Sequence, residues 1–513
     1  TGSVTIGSNG TFDISPGGPL TQTIGDLRGS GQITLGQNTL QFGTSTSSTS
    51  FSGVISDALL GGSIIKTGSG LVSLSGNSSY TGSTTLSGGT LAIGQNTSIG
   101  ASATVLYATA NNVTFKIGYS GLMDHPIVIT AGDLLNLAVD SPYSATISAP
   151  ISETGSSGSF QKIGDGELIL SATSTYTGDT TVSAGKLTLS GVSSCIPSSP
   201  LVSVSPGATL NVQSNQTVQQ LAGASGSFIT LGSSDALTFT GTSSVFAGVI
   251  SGQGSMIKTS SNLAVFTAGN TYSGGTTILG GSLDLQLGGK LYAQGAVDVG
   301  SGTLDRSPSG FSTQTIGDLS GTSSGSVTLG STTFQFGTST SFVTFGGVIS
   351  GSGAVVKLGS GTAIFTGMNL YTGGTTIRGG TLSIGPGGSL DSASPVKVGV
   401  LPFTSPVFDI STGGNQVIGD LTGFISGTVN LGANTLTFGT NNPSSSTFRG
   451  SVQGTGSLIK QNSGAAIFTG SSSFSGGMDI QGGMFVLNGS FSSPSNNVTV
   501  DSGATLGGFG TIA

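Results

Sequence analysis

The chain has little charge, one cysteine, one histidine and no tryptophan. Charged side chains make up 6% of its 513 residues, and thirteen basic against twenty acidic residues leave a net charge of −7. Basic residues this sparse are expected to form no patch, which argues against nucleic acid and an anionic membrane surface as partners. Cys195 is the only cysteine, so an intramolecular disulfide is impossible and stability must come from stacking. In Ser193-Ser194-Cys195-Ile196-Pro197 it reads as a loop thiol without a role. A Ser-His-Asp triad would have to use His125, and Asp124 does not become its orienting partner merely by being next in sequence. No Gly-x-Ser-x-Gly elbow stands out from the Gly/Ser background. No run of 18 apolar residues exists, so no helix of this segment is expected to insert in a membrane. Thr1 begins neither a signal peptide nor a chain with an initiator methionine, so the segment reads as mature or excised.

What is present is glycine, 91 residues of it, with abundant serine and threonine. Such a composition could be disordered. The hydrophobic share of 35% and a positive mean hydropathy argue otherwise. The apolar residues are mostly aliphatic and β-branched. They fall in short alternating runs such as Val4-Thr5-Ile6 and Ile33-Thr34-Leu35, broken by Gly, Ser and Asn. Alternation between turn residues means strands, and no stretch shows capped helical spacing.

The runs recur. Lys66, Lys162, Lys258, Lys357 and Lys460 are spaced by 96, 96, 99 and 103 residues, and an aromatic follows each by 14 positions: Tyr80, Tyr176, Tyr272, Tyr371 and Phe474. Upstream, Thr23-Ile24-Gly25-Asp26-Leu27 returns around Asp318 and Asp420, with a worn copy at 217–221. The units are 1–103, 104–201 (the most divergent), 202–296, 297–395 and 396–497, with 498–513 opening a sixth. A repeat of this length points to one continuous solenoid. Within a unit, Ile64-Ile65-Lys66 resembles Thr84-Thr85-Leu86 and Leu71–Leu74 resembles Thr90–Ile93, a period of 19–20 residues. The expected fold is all-β: a right-handed parallel β-helix of five ~100-residue units, each of about five coils at about 4.8 Å per coil, roughly 120 Å in all. On that count the five lysines should form a column on one side.

Lys-x-Gly-x-Gly, Leu-x-Leu-Ser-Gly, Tyr-Thr-Gly-x-Thr-Thr and Gly-Gly-Thr-Leu-x-Ile closely resemble the passenger-associated transport repeat (autotransporter-associated β-strand repeat) of bacterial autotransporters. The best copies are 64–94, 160–191 and 355–385; those at 256–285 and 458–487 have drifted. Ser502-Gly503-Ala504-Thr505-Leu506-Gly507-Gly508 also looks like a recurrent autotransporter coil. The resemblance implies a passenger domain exported through an outer membrane to the bacterial cell surface or beyond, often with a C-terminal β-barrel.

Candidate chemistry is thin. The nearest acid pair is Asp165 and Glu167, read as a solvated corner, and no catalytic or metal-binding set is expected, nor any cofactor. Asp26, Asp318 and Asp420 read as corner caps. The lysines and aromatics of the signature read as structural, each lysine at a strand edge with its stem over apolar atoms. The least repetitive stretch, 107–143, offers Tyr107, Tyr119, His125 and Tyr143 as a candidate binding surface. The expected function is a non-enzymatic extracellular or cell-surface rod, an adhesin stalk or structural fibre. Its partner would be a receptor or glycan on a host or neighbouring cell. The alternatives are a filament subunit joined head to tail, a glycan-active enzyme, and an ice-binding Thr array. The end coils at Val4–Ile14 and Val498–Leu506, guarded only by Asp13 and Asp501, are expected to be covered by more solenoid from this chain or from another copy.

Overall fold

The computed structural model describes residues 2–191, 194–308, 313–400, 405–441, 445–492 and 497–513. The chain winds into a parallel β-solenoid of about 23 turns. The described residues contain no α-helix; their one helical element is the 3-10 turn Asn96–Ile99. Two compact units divide the chain, Thr1–Gly254 and Ser255–Ala513.

In the first unit a full turn presents three faces. Leu134–Val139, Ser144–Ile147 and Ile151–Thr154 lie on successive faces, and Ser159–Ile163 returns to the first. Each strand pairs in parallel with its equivalent one turn on: Leu135 faces Phe160, and Ile147 faces Leu170. The period-2 alternation seen in the sequence becomes an inward column, in which Leu137, Ile147, Ile151 and Phe160 are fully buried. Each such side chain contributes about 1.5–3 kcal/mol of burial.

The second unit repeats the plan with Phe342–Phe345, Val348–Gly351 and Val355–Lys357 as one turn, and Thr362–Phe365 begins the next. Its core is more aromatic. Phe336 stacks on Phe365 with centroids 5.5 Å apart, Phe438 on Phe468 at 5.6 Å, and Phe485 lies 4.9 Å from Phe468.

The turn length departs from expectation. Lys66, Leu86, Ala108, Ile129 and Glu153 stand in register, so successive turns take 20, 22, 21 and 24 residues. The signature turn matches the 19–20-residue period read from the sequence, and the three turns that follow it here are longer. A repeat therefore does not close on five turns. From Lys66 four turns lead to Glu153, and Lys162 lies one face further on. In the second unit, four turns run from Lys258 through Ile278, Val299 and Gly321 to Phe345, and Lys357 lies two faces beyond. Four more turns through Ile377, Val398 and Gly423 reach Phe448, and Lys460 is again two faces on. The expected single column of lysines is thus overturned. In the first unit the two lysines occupy different faces, and in the second the three occupy all three.

Candidate functional site

The structure places every signature lysine at an inward position, four at the last residue of a strand and Lys162 one residue before it. Lys66 follows buried Ile64 in a strand that alternates half-buried and buried residues, and Lys162, Lys258, Lys357 and Lys460 follow buried Phe160, Met256, Val355 and Leu458 in the same way. All five are 0–1% exposed, so their stems lie inside the coil rather than over its edge. The ammonium then curls to the corner, where its acceptors are main-chain carbonyls. Lys66 Nζ donates to Thr67 O, to Gly68 O at 2.9 Å and to Gly88 O at 3.0 Å. Lys162 donates to the carbonyls of Ile163, Gly164 and Ala184, Lys357 to those of Leu358, Gly359 and Gly379, and Lys460 to those of Gln461, Asn462 and Gly482. Lys258 reaches Ser260 O and Gly280 O. One cation thus ties its own corner to the corner of the next turn.

The Gly of Lys-x-Gly follows from this geometry. Gly68 has φ of +62°, and a Cβ there would lie 2.3 Å from Gly43 O. In the fifth copy Asn462 takes the position with φ of 60°, as asparagine tolerates this region better than most residues. Desolvation lowers the affinity of each buried ammonium for its proton. It pushes Lys66, Lys162 and Lys357 down to about 8 and lowers Lys258 and Lys460.

The second signature feature lies on a face that carries no strand in the first three copies and a short one, Leu370–Tyr371 or Ser471–Phe474, in the last two. Between Leu71–Leu74 and Thr84–Leu86 the chain passes through Tyr80, which is fully buried, and its hydroxyl meets Thr84 Oγ1 at 2.5 Å. Tyr176 and Thr180, Tyr272 and Thr276, and Tyr371 and Thr375 repeat the bond at 2.5, 2.7 and 2.6 Å. Burial raises all four phenols well above their ordinary range. In the fifth copy Phe474 replaces the tyrosine and Met478 the threonine, and both are buried.

The sequence reading missed a third feature. Two residues before the aromatic stands a small polar residue: Ser78, Ser174, Asn270, Asn369 or Ser472, all buried. Its side chain accepts from the backbone N–H one turn away. Ser78 Oγ takes Ile55 N at 3.2 Å, Ser174 takes Ile151 N, Asn369 takes Ile349 N and Ser472 takes Val452 N. The signal was a fixed −2 offset from the aromatic in all five copies.

The acids are engaged in similar work. Ser45 donates to Asp26 at 2.6 Å, and Ser339 donates to Asp318 at 2.7 Å; Asp420 lies near enough to Lys460 to oppose the fall in that ammonium's proton affinity. Glu167 takes bonds from Ser144, Thr188 and Lys186, which hold it below its ordinary range although burial opposes this. Asp165 acts on Lys162 electrostatically. Asp57, fully buried, collects Leu59 N, Gly61 N, Gly62 N, Thr81 N and Thr81 Oγ1.

The four residues of the 107–143 stretch do not form one surface: Tyr119 and Tyr143 share a corner, while His125 and Tyr107 lie elsewhere. His125 is completely buried; Nδ1 lies 2.8 Å from Thr104 O and Nε2 3.1 Å from Asn96 O. A ring engaged with two main-chain carbonyls has no nitrogen left to serve a hydroxyl nucleophile. Tyr119 donates to Leu122 O, and burial, with Asp124 second, pushes its phenol up to about 12. Tyr143 shares its corner, since Ser144 N bonds Ser120 Oγ. Tyr107 lies half-exposed on the face of Leu106–Ala108. Cys195, buried, donates its thiol to Leu170 O, and burial pushes it up. No group of three or more metal-ligating side chains occurs among the described residues.

Residues 64–93, 160–192, 256–285, 355–384 and 458–487 match the family model of the passenger-associated transport repeat. The chain carries five passenger-associated transport repeats. Each match contains one lysine and one aromatic pocket of the kind just described, so the repeat is a single signature turn and the start of the next. Five copies on a parallel solenoid are consistent with an autotransporter passenger domain, and they suggest export to the cell surface. No curated protein matches the chain, and no solved structure does.

Proposed function

We propose that the chain is a non-enzymatic passenger solenoid that works outside the cell as an adhesin stalk or structural fibre. The observation that carries this reading is where the repeat's chemistry goes. All five lysines are spent joining one turn's corner to the next. Glu167, Asp57 and His125 are likewise bound to neighbouring turns. A scaffold that commits its few ionisable groups to cohesion supplies stiffness and reach rather than turnover. Folding by addition of one turn at a time suits export, since each new turn needs only the preceding one as template. The test is an epitope placed in the exposed turn at Ser233-Ser234 of the full-length protein. Antibody should reach it on intact cells. An epitope visible only after lysis would overturn the reading.

A further inference from the structure

Ten of the thirteen basic residues are already committed. Five are the buried signature lysines. Arg28, Lys116 and Lys186 pair with Asp26, Asp140 and Glu167, and Lys290 and Arg306 have partners of their own. Arg378, Lys397 and Arg449 make no side-chain hydrogen bond or ion pair among the described residues, and all three are exposed. Contrary to the expectation of scattered cations without a patch, the strand register gathers them. Lys397 pairs with Thr422, and Gly423 with Phe448, which sets Thr422 beside Thr447. One strand end further along, Arg378 stands beside Gly399, and the following turns carry Phe424 and Arg449 there. Lys397, Thr422, Phe424, Thr447 and Arg449 line one cleft of about 480 Å³, and no acid lines it among the described residues. At about 4.8 Å per turn, Arg378 to Arg449 spans roughly 14 Å.

The solenoid does not require these cations. One repeat earlier, the positions equivalent in turn register hold Leu279, Asp298 and Gly346. Asp298 there accepts from Ser320 Oγ at 2.8 Å. With Lys397 in its place the sign is reversed, and Thr422 keeps a free hydroxyl among the described residues.

We propose that this cleft binds an acidic saccharide, a sugar chain bearing carboxylates or sulfates. Cations spaced along the turns fit charges spaced along a polymer better than they fit one compact anion. Threonine hydroxyls can bond sugar hydroxyls, and the Phe424 ring offers a flat apolar surface to a sugar ring. Single-stranded nucleic acid is held by stacking successive bases on aromatic side chains, and Phe424 is the one aromatic that lines this cleft among the described residues. The site adds a ligand class to the extracellular reading above and rests on it for its biological setting, while its binding chemistry is measurable on the isolated chain. The test is calorimetry of the purified 513-residue chain at low salt with a heparin-derived hexasaccharide and an oligogalacturonate, against neutral maltohexaose and single-stranded DNA. The variant Arg378→Leu/Lys397→Ser/Arg449→Gly borrows residue types that other copies carry at these positions, so the turns should stay intact. It should weaken acidic-saccharide binding by about tenfold or more, whereas Lys116→Ser should leave it unchanged. Equal binding by the triple variant, an equal loss in Lys116→Ser, equal binding of maltohexaose, or tighter binding of DNA would each overturn the proposal. Failure here leaves the stalk reading intact, because that reading is decided by the epitope on intact cells.

Discussion

The first signature turn, 64–93, and the fifth, 458–487, differ where the structure permits difference. Lysine is kept: Lys66 and Lys460 each hold three main-chain carbonyls across two corners. The hydroxyl pair is not: Tyr80 and Thr84 become Phe474 and Met478 together. Carbonyls belong to the backbone, so no side-chain exchange removes the need for a donor. The Tyr–Thr bond joins two side chains, and deleting both hydroxyls strands neither of them, although Thr84 Oγ1 also lies 3.2 Å from Ile99 O and that weaker bond is lost with it. The signature turn is therefore held in two ways, by a lysine that joins its corner to the next through main-chain carbonyls and by a hydroxyl pair inside the turn that is exchangeable as a pair.

The largest effect is expected from breaking the first kind. Lys66→Met should cost about 3 kcal/mol, since it removes three charge-assisted bonds to partly buried carbonyls. Faster hydrogen exchange of Ser87 N–H, which is bonded to Lys66 O, and a lower denaturation midpoint would measure it. Lys397→Met, on the surface, should stay within about 0.5 kcal/mol. Next is the pair. Thr84→Met alone strands the Tyr80 hydroxyl and should cost about 2 kcal/mol; adding Tyr80→Phe should recover about 1 kcal/mol or more in a double-mutant cycle. Strict additivity would mean that the pair is not a unit.

The mirror experiment is smaller. Phe474→Tyr should destabilise the fifth turn by about 1 kcal/mol, as a buried hydroxyl faces Met478, and Met478→Thr should then rescue it. The most gradual effect is on pH. Unfolded lysines hold protons up to about 10.5, whereas folded Lys66, Lys162 and Lys357 release theirs near about 8. The unfolded state thus binds more protons in that window, and stability should rise from pH 8 toward about 10. Above about 10 unfolded tyrosines ionise while Tyr80, Tyr176, Tyr272 and Tyr371 keep their protons, so stability should fall. Denaturant titrations across pH 7–11 would show the maximum, and Lys66→Met should flatten its rising limb.

The fold class was legible because alternation marks a strand wherever it occurs, as in Val4-Thr5-Ile6. The number of turns per repeat was not. The period came from Leu71–Leu74 against Thr90–Ile93, both beside the signature, and corner lengths elsewhere carry no pattern. The lysine was found but misplaced: Lys was read as polar and therefore peripheral, although its parity with Ile64, Phe160, Met256, Val355 and Leu458 put it inside. The cleft at Lys397 and Arg449 was invisible, because two residues 52 apart meet only through the register of Thr422 and Thr447.

The central claim is that the five signature lysines are internal staples and not a surface. Native-state amine labelling at pH 8, read by mass spectrometry residue by residue, tests this directly. Lys397 should react at the rate of a free amine, while Lys66, Lys162, Lys258, Lys357 and Lys460 should stay unmodified until the chain unfolds. Labelling of those five at the rate of Lys397 in the folded protein would contradict it.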